Sequence, residues 1–273
     1  MGWQRLESQL RERTRRGLVG FIPYLTVGYP DLTSTAALVR VLEEAGADAV
    51  ELGVPFSDPL ADGPTIQRAS FHALKQGVTF NRCLETAASV RASGAKVPLV
   101  FMSYYNPLLA HGLEASAKDA ATAGVDGFIV PDLPTEEAGP FLAACEAQRL
   151  ALVPLLAPTS APHRIAAACA HARGFVYCVS VTGVTGARDA VSSDVSALVA
   201  EVRRHTTLPV AVGFGVSRRD HVSAIGAFAD AAVVGSALID VIGKAPAGQA
   251  LPLARQFVAE LVNVPKSVPR SAR

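Results

Sequence analysis

The chain alternates between short apolar runs and longer stretches with apolar residues at helical spacing, and it keeps this alternation to its end. Eight runs are apolar and rich in β-forming residues: "FIPYLTV" (21–27), "DAVELGV" (48–54), "VPLVFMS" (97–103), "GFIVP" (127–131), "LALVPLLAP" (150–158), "GFVYCVS" (174–180), "LPVAVGFG" (208–215) and "ADAAVVGS" (229–236). The stretches between them, such as "TSTAALVRVLEEAGA", open on Ser, Thr or Asp, which cap helix N-termini. This pattern predicts parallel strands joined by crossover helices.

Eight such units in 273 residues predict an α/β fold, a single-domain (β/α)8 TIM barrel with an N-terminal helix and inserted active-site loops. A doubly wound open sheet is the alternative, and the absence of G-x-G-x-x-G after the first run weakens it. We expect one domain over residues 1–273, with a disordered tail at 265–273. The stripe Trp3, Leu6, Leu10 predicts a short helix that covers one end of the core. The long interval between the second and third runs predicts an insertion on the active-site face.

Composition excludes several classes of function. Lys and Arg number 25 against 24 Asp and Glu, so no global charge favours nucleic acid or an anionic membrane. No apolar run approaches the roughly 18 residues of a membrane span. The four cysteines form no C-x-x-C pair and the six histidines have no metal-ligand spacing. We therefore expect a reduced, cytoplasmic protein without a metal site.

One apolar run contains a carboxylate, in the stretch "AVELGVPFSDPLADGPTIQ" (49–67). Because side chains alternate along a strand, Glu51 faces the barrel interior if Val50, Leu52 and Val54 face the helices. A buried carboxylate is costly unless it is paired or protonated. A buried ion pair is the alternative, but no other run offers an obvious inward basic residue. The pattern predicts a raised pKa for Glu51 and a role in proton transfer.

Two further carboxylates, Asp58 and Asp62, follow in the loop after this strand. Both stand in turn-forming contexts, since Asp58 precedes a proline and Asp62 precedes a glycine, so each can be a turn residue. We expect Asp62 to lie on an exposed loop. The position of both residues above an inward glutamate favours a role in the site.

Glycine-rich clusters close the last three runs, at residues 182–186, 213–215 and 235–236. Glycines let backbone N–H groups converge on an anion, and a helix N-terminus adds its dipole. Phosphate binds at the corresponding loops in many barrels. Plain tight turns are the alternative to a phosphate site.

Several motifs together resemble one family. They are "FIPYLTVGYPD", "ELGVPFSDPLADGPTIQ", "MSYYNP", "FIVPDLP", "GFVYCVSVTGVTGAR" and "PVAVGFGVS", and they occur in the order found in the tryptophan synthase alpha subunit family, over about residues 6–264. The resemblance implies a cofactor-free lyase that cleaves indole-3-glycerol phosphate to indole and glyceraldehyde 3-phosphate in tryptophan biosynthesis. It also implies a pyridoxal-phosphate beta subunit as partner in an alpha2beta2 heterotetramer.

The resemblance also assigns residues. Glu51 is implied as the catalytic acid and base, Asp62 as the second catalytic carboxylate near the indole N–H, and Tyr177 as a further active-site residue. The residues implied to bind substrate are Tyr24, Ile66, Met102 and Tyr104 around the indole, and Gly186, Gly215, Gly235 and Ser236 around the phosphate. The loops "YYNPLL" and "VPDLP" are apolar and lie on the same face, which suits a docking surface. The partner-facing residues expected there are Pro55, Asp58, Asn106, Pro107, Asp132 and Pro134.

Three other functions remain open at this stage. A phosphosugar isomerase or epimerase usually needs a metal, or a Lys or His at a strand end, and neither is evident. A stand-alone indole-3-glycerol-phosphate lyase and a partner-binding subunit with weak activity are the others. The chain departs from the family in two details, an added charge at Asp189 in the sixth loop and a spacing one residue short between "GFGVS" and "VVGSA".

Overall fold

The computed structural model describes residues 2–179, 193–213 and 215–266. The strands are β1 (Gly20–Thr26), β2 (Val50–Gly53), β3 (Leu99–Met102), β4 (Gly127–Ile129), β5 (Ala151–Val153), β6 (Leu155–Leu156), β7 (Val176–Val179), β8 (Val210–Gly213) and β9 (Ala231–Val234). The helices are α1 (Trp3–Arg15), α2 (Ser34–Ala45), α3 (Pro64–Lys75), α4 (Phe80–Ala92), α5 (Tyr105–His111), α6 (Leu113–Thr122), α7 (Gly139–Ala147), α8 (Pro162–His171), α9 (Ser193–His205), α10 (Arg219–Gly226), α11 (Ser236–Lys244) and α12 (Ala250–Leu261).

The strands form one parallel sheet, and its two end strands, β5 and β6, are joined by Pro154 so that the sheet closes into a barrel. The sheet runs in the order β5-β4-β3-β2-β1-β9-β8-β7-β6, and β5 and β6 are two halves of the fifth predicted strand, separated by Pro154. Proline has no amide hydrogen to donate, so the ladder breaks there. β5 pairs with β4 and β6 with β7, while the Pro154 carbonyl accepts from the Tyr177 amide at 3.0 Å. The predicted eight-stranded barrel is thereby confirmed.

The residues of β2 divide between two cores, as the alternation predicts. Val50 and Leu52 lie in the apolar layer between the barrel and its helices. Ala49, just before the strand, belongs to the separate cluster inside the barrel, with Ile22 and Val100. This alternation fixes the inward direction of Glu51.

The N-terminal ends of the strands are covered by α1. Leu6 and Leu10 of this helix are fully buried in the cluster inside the barrel. The prediction that the N-terminal segment forms a helix over one end of the core is confirmed.

Buried aspartates occupy the same end of the barrel, just before β2, β4 and β9. Each carboxylate accepts a backbone N–H from the preceding strand at 2.9 Å: Asp48 from Phe21, Asp126 from Leu99 and Asp230 from Val210. Each also has cationic partners, with Arg13 at 3.3 Å from Asp48, Arg5 at 2.6 Å and Arg91 at 3.0 Å from Asp126, and Arg203 at 2.8 Å from Asp230. Paired in this way, buried carboxylates hold strands, helices and α1 together.

The C-terminal segment also attaches to this end. Pro265 forms an isolated antiparallel bridge with Leu18, and the Lys266 amide donates to the Gly17 carbonyl at 2.8 Å. The Lys266 ammonium donates to Asp230 at 2.7 Å. The first two residues of the predicted tail are thus held against the barrel, and residues 267–273 lie outside the described part.

The insertion predicted between the second and third strands consists of the loop 54–63 followed by α3 and α4. Helix α3 begins with Pro64 at its first position, where the missing N–H costs no hydrogen bond. Among the described residues, no helix is long and apolar enough to cross a membrane.

Candidate active site

Glu51 is the second of the four residues of β2; it lies inside the barrel, and only 2% of it is exposed. Its Oε1 is the one buried side-chain oxygen or nitrogen without a hydrogen-bond partner among the described residues. Burial raises the pKa of Glu51 to about 8, and the negative charge of Asp62 adds to the rise. The group can therefore hold or release a proton near neutral pH. Among the described residues, no Lys, Arg or His forms an ion pair with Glu51, so nothing in that part of the chain supports the alternative of a buried ion pair.

Asp62 is half-buried, not on an exposed loop as the sequence led us to expect. Burial raises the pKa of Asp62 to about 6, and a hydrogen bond from the Tyr104 hydroxyl works against that rise. The difference arises because Tyr104, which follows β3, covers the carboxylate from a distant part of the chain. With a pKa below that of Glu51, Asp62 is the more readily ionised of the two carboxyls.

Tyr104 holds the loop after β2 in place. Its hydroxyl accepts the Ala61 amide at 2.9 Å and hydrogen-bonds to Asp62. Its ring stacks on Phe56 with 5.2 Å between the ring centroids. From the other side, the Gln67 amide nitrogen donates to the Asp62 carbonyl at 2.9 Å. The two residues together fix the part of the loop that carries the second carboxylate.

Tyrosines reach the site from β1 and β7, and each rests its hydroxyl above a glycine of the next strand. A Cβ on Gly53 would stand 2.0 Å from the Tyr24 hydroxyl, and a Cβ on Gly213 would stand 2.1 Å from that of Tyr177. Burial raises the pKa of both tyrosines, and the charges of Asp62 and Glu51 add to it. Both hydroxyls therefore lie close to the carboxyls and stay protonated.

An apolar wall stands beside the carboxyls. Tyr24 packs with Ile66 and Ala69 of α3 and with Ile239 of α11, and the half-buried Met102 at the end of β3 contacts this cluster. These side chains present a dry surface of the kind that an aromatic ring system requires.

The predicted phosphate residues lie at the ends of the last strands where the structure describes them. Gly215 follows β8 with a φ of 76°, and Gly235 and Ser236 form the N-cap and first residue of α11. The first N–H groups of a helix have no partner within the helix and face an anion favourably. Gly186 and Asp189 lie outside the described residues.

Most of the predicted partner-facing residues are exposed, on the loops after β2 and β4 and at the start of α5, which follows β3. Asp58, Asn106, Asp132 and Pro134 are exposed and Pro107 is half-buried. Pro55, two residues after β2, is buried, so its side chain does not reach the surface. Asp132 also accepts the Tyr105 amide at 2.9 Å, which ties two of these loops together.

The described residues contain no group of three His, Cys, Asp or Glu side chains that could hold a metal ion. Proton transfer and electrostatic stabilisation are the chemistry that the side chains themselves offer.

Comparison with known proteins agrees with this geometry. The family model described as tryptophan synthase alpha chain matches residues 9–265. Over 245 residues the chain is 51% identical to the tryptophan synthase alpha chain of Roseiflexus sp. (strain RS-1), which covers 90% of this chain and 94% of the relative. The chain belongs to the tryptophan synthase alpha chain family.

Solved structures agree with this assignment. Tryptophan synthase of Mycobacterium tuberculosis is 40% identical, with a TM-score of 0.86 over 94% of this chain and 96% of that one. The tryptophan synthase subunit alpha of Legionella pneumophila str. Paris is 31% identical, with a TM-score of 0.87 over 96% and 97%. Family membership confirms the prediction of a lyase that cleaves indole-3-glycerol phosphate in tryptophan biosynthesis. No finding favours the isomerase, epimerase, stand-alone or weakly active alternatives.

The sequence did not predict several contacts that shape the site, although Gly213 lies in one of the glycine clusters expected near the phosphate. Gly53 and Gly213 make room for the tyrosine hydroxyls, and an inward glycine at a strand end was the available signal for both. Phe56, Gln67 and Ile239 gave no such signal. Phe56 and Ile239 contact residues that are distant in the chain. The contact of Gln67 with Asp62 depends on the conformation of the loop.

Proposed function

We propose that this chain cleaves indole-3-glycerol phosphate with Glu51 as the proton-transferring group and Asp62 as the stabilising anion. The observation that carries the proposal is the buried Glu51 inside the barrel, whose Oε1 has no hydrogen-bond partner among the described residues and whose pKa is about 8. Such a group is poised for acid and base catalysis near neutral pH.

One carboxyl suffices for both proton transfers of the retro-aldol step. Protonated Glu51 donates its proton to C3 of the indole, which creates a cationic indolenine. The resulting carboxylate then accepts the proton of the chain hydroxyl as the carbon–carbon bond breaks. The hydroxyl carbon becomes the aldehyde, the bonding electrons return to the indole, and Glu51 ends as it began.

Asp62 supplies the negative charge that this step requires. With a pKa of about 6, it is mostly ionised at neutral pH. A fixed anion beside the indole nitrogen stabilises the indolenine cation more than the neutral substrate. The contacts that Tyr104 and Gln67 make with the loop support this role, because catalysis needs the anion held in one place.

Binding groups surround the two carboxyls. We assign the indole to the part of the apolar wall that Tyr24, Ile66 and Met102 form, together with the neighbouring Tyr104. We assign Tyr177 to the opposite side of Glu51, as a further active-site residue. We assign the phosphate to backbone N–H groups of Gly215, Gly235 and Ser236, with Gly186 as the fourth residue by family resemblance. The position of Gly235 and Ser236 at the N-terminus of α11 supports this choice.

We propose a pyridoxal-phosphate beta subunit as the partner, in an alpha2beta2 heterotetramer. Large apolar side chains are exposed beside the site, with Leu60 at 93% and Leu109 at 50%. The loop that carries Leu60 is linked to α5, which carries Leu109, because Tyr104 just before α5 contacts the Asp62 loop. Tyr105, the first residue of α5, contacts Asp132 in turn. Exposed apolar residues on contiguous segments favour a protein contact.

We also place the protein in the cytoplasm. Its four cysteines are free and buried. Unpaired thiols are typical of a reducing compartment.

The activity is tested by incubating the purified chain with indole-3-glycerol phosphate and measuring indole and glyceraldehyde 3-phosphate. We expect equal amounts of both, and we expect Glu51→Gln to lower turnover by on the order of 10² to 10⁴. Glu85→Gln, on the exposed surface, is the matched control and should behave as wild type. Near-normal turnover of Glu51→Gln would refute the assignment.

The partner is tested by measuring indole release with and without saturating beta subunit. Binding should shift the loops toward their closed arrangement and raise turnover by an order of magnitude or more. We expect Leu109→Asp to reduce the ratio of activated to basal turnover, and Phe71→Asp, an exposed apolar residue on α3, to leave that ratio unchanged. A chain that is fully active alone and indifferent to the partner would be a stand-alone lyase.

A further inference from the structure

Tyr24 stands beside Glu51 on the neighbouring strand. The two residues are partners in the register between β1 and β2, and both point into the barrel. Only 6% of Tyr24 is exposed, and its ring packs against Ile66 and Ile239. The ring therefore belongs to the apolar wall, but the hydroxyl at its tip reaches toward the carboxyls.

The position of this hydroxyl is fixed by two neighbours. Gly53 leaves the space that it fills, since a Cβ there would overlap the hydroxyl oxygen at 2.0 Å. Thr26, which is fully buried, donates to the same oxygen at 3.3 Å. A phenylalanine would pack equally well against the wall, so the hydroxyl itself needs a polar reason to be buried.

The hydrogen bond between Tyr24 and Thr26 engages only one of their two hydroxyl protons. Each hydroxyl carries one proton and the bond between them takes one, so in the described parts of the chain the other has no acceptor. With Thr26 as the donor, the spare proton is on Tyr24. Across the same space, Oε1 of Glu51 is a buried acceptor without a donor. Both groups face the place where the reacting chain must lie if Glu51 is to move its protons.

We propose that the Tyr24 hydroxyl donates to an oxygen of the substrate's three-carbon chain and so selects ligands that carry a hydroxyl there. This inference rests on the lyase function proposed above and adds a specificity-determining residue to it. Asp62 is the weaker candidate acceptor, because Tyr104 already donates to it and Gln67 fixes its carbonyl.

A hydroxyl donor at this point distinguishes two ligands that share every other contact. Indole-3-glycerol phosphate offers chain hydroxyls to Tyr24, whereas 3-(indol-3-yl)propyl phosphate has the same ring and phosphate but none. A site built to hydrogen-bond a ligand hydroxyl penalises the analogue that lacks it, because the buried donor loses its acceptor. Tyr24→Phe removes this discrimination without removing the wall.

The test compares wild type, Tyr24→Phe and Thr26→Val in two measurements. These are kcat/KM for indole-3-glycerol phosphate and the inhibition constant of 3-(indol-3-yl)propyl phosphate. In Tyr24→Phe we expect kcat/KM to fall on the order of tenfold, with the inhibition constant unchanged or improved. Thr26→Val, which frees Tyr24 from its partner, should show a smaller loss in the same direction. Tyr29→Phe is the matched control, because its hydroxyl lies against Gly243 on α11.

The possible results distinguish a failure of this inference from a failure of the proposed function. Loss with the hydroxylated substrate alone supports the inference. No change, or a parallel loss with both ligands, overturns it and reduces Tyr24 to a packing residue, while the lyase function stands. A wild-type chain that releases no indole refutes the proposed function itself, whatever the variant does.

Discussion

The hydroxyl of Tyr177 lies 2.1 Å from the position that a Cβ on Gly213 would take. The two residues sit on neighbouring strands, where Val179 is the register partner of Gly213 and Tyr177 that of Ala211. The tyrosine therefore leans along the barrel axis to cover the glycine. A side chain at position 213 has to displace the ring, because atoms at that distance overlap.

We expect Gly213→Ala to lower kcat/KM for indole-3-glycerol phosphate by on the order of 10²-fold, because a displaced Tyr177 disturbs the space beside Glu51. Overpacking should also lower the free energy of unfolding by about 1–3 kcal/mol. Gly139→Ala is the control, since a Cβ there meets nothing within 4 Å. Steady-state kinetics and urea unfolding on both variants decide the matter, and unchanged kinetics in Gly213→Ala would contradict the geometry.

The raised pKa of Glu51 makes the stability of the chain depend on pH in a defined direction. Its folded pKa of about 8 lies above the ordinary value near 4.5, so the folded state binds the proton more tightly than the unfolded state. The contribution to stability is complete below the ordinary pKa and is lost as pH rises through about 8.

Glu51→Gln is always neutral and lacks this loss. We expect the variant to gain stability relative to wild type between pH 5 and pH 8, by on the order of a few kcal/mol. Urea unfolding of both proteins at pH 5, 6.5 and 8 measures the gap. A gap that stays constant over this range would show that Glu51 titrates normally in the folded chain.

Removing the Tyr104 hydroxyl should move the titration of Asp62. The hydrogen bond from Tyr104 lowers the pKa of Asp62, so Tyr104→Phe should raise it. If ionised Asp62 is the active form, the acid limb of kcat/KM should shift to higher pH, while the ring still stacks on Phe56. Tyr105→Phe, on the next residue, should keep the wild-type profile. An unshifted acid limb in Tyr104→Phe would mean that Asp62 does not control it.

A charge at position 235 should remove phosphate binding and leave indole binding intact. Gly235→Asp places a carboxylate at the N-cap of α11, where we assign the phosphate. The nearest atom to a Cβ at this position is 3.5 Å away, so Gly235→Ala fits and controls for backbone effects. Calorimetric titration with glycerol phosphate and with indole tests both variants. Equal glycerol phosphate affinity in wild type and Gly235→Asp would place the anion elsewhere.

The network around Asp126 should govern stability and not chemistry. This buried carboxylate bonds to Arg5, Arg91 and the Leu99 amide. Asp126→Asn leaves the arginines without their counter-charge, and we expect a loss of about 3–5 kcal/mol. Turnover per folded molecule should not change, because the site is at the other end of the barrel.

An exposed pair supplies the comparison for this variant. Arg82 and Glu85 form a surface ion pair, and Glu85→Gln should cost less than about 1 kcal/mol. Similar losses in Asp126→Asn and Glu85→Gln would show that burial adds nothing to the Asp126 network.

Periodicity was sufficient to place Glu51, because the alternation of Val50 and Leu52 leaves only one direction for the residue between them. The repeat of strands and helices likewise determined the barrel. What the pattern did not reveal depends on contacts between distant segments. The burial of Asp62 is due to a tyrosine more than forty positions later in the chain, and the sequence of the loop alone resembles an ordinary exposed turn.

The same limit applies to the C-terminal segment. Its prolines and charges are typical of a frayed tail, yet Lys266 reaches Asp230, a residue that became a partner only once the barrel was closed. The composition of a segment indicates its own conformational preferences. It does not reveal a contact with a distant segment, such as that of Lys266 with Asp230.

Buried aspartates with cationic partners lie at one end of the barrel, and Glu51, which has no such partner in the part of the chain that the structure describes, lies toward the other. The two ends should therefore differ in how well they tolerate mutation. Stabilising changes around Asp48, Asp126 and Asp230 lie far from the substrate, so they can accumulate without altering specificity. That reserve is what allows substitutions near Glu51 to be explored, since most changes of function destabilise. Directed evolution toward new substrates should therefore first stabilise the end of the barrel that α1 covers. Only then should the loops above Glu51 and Asp62 be randomised.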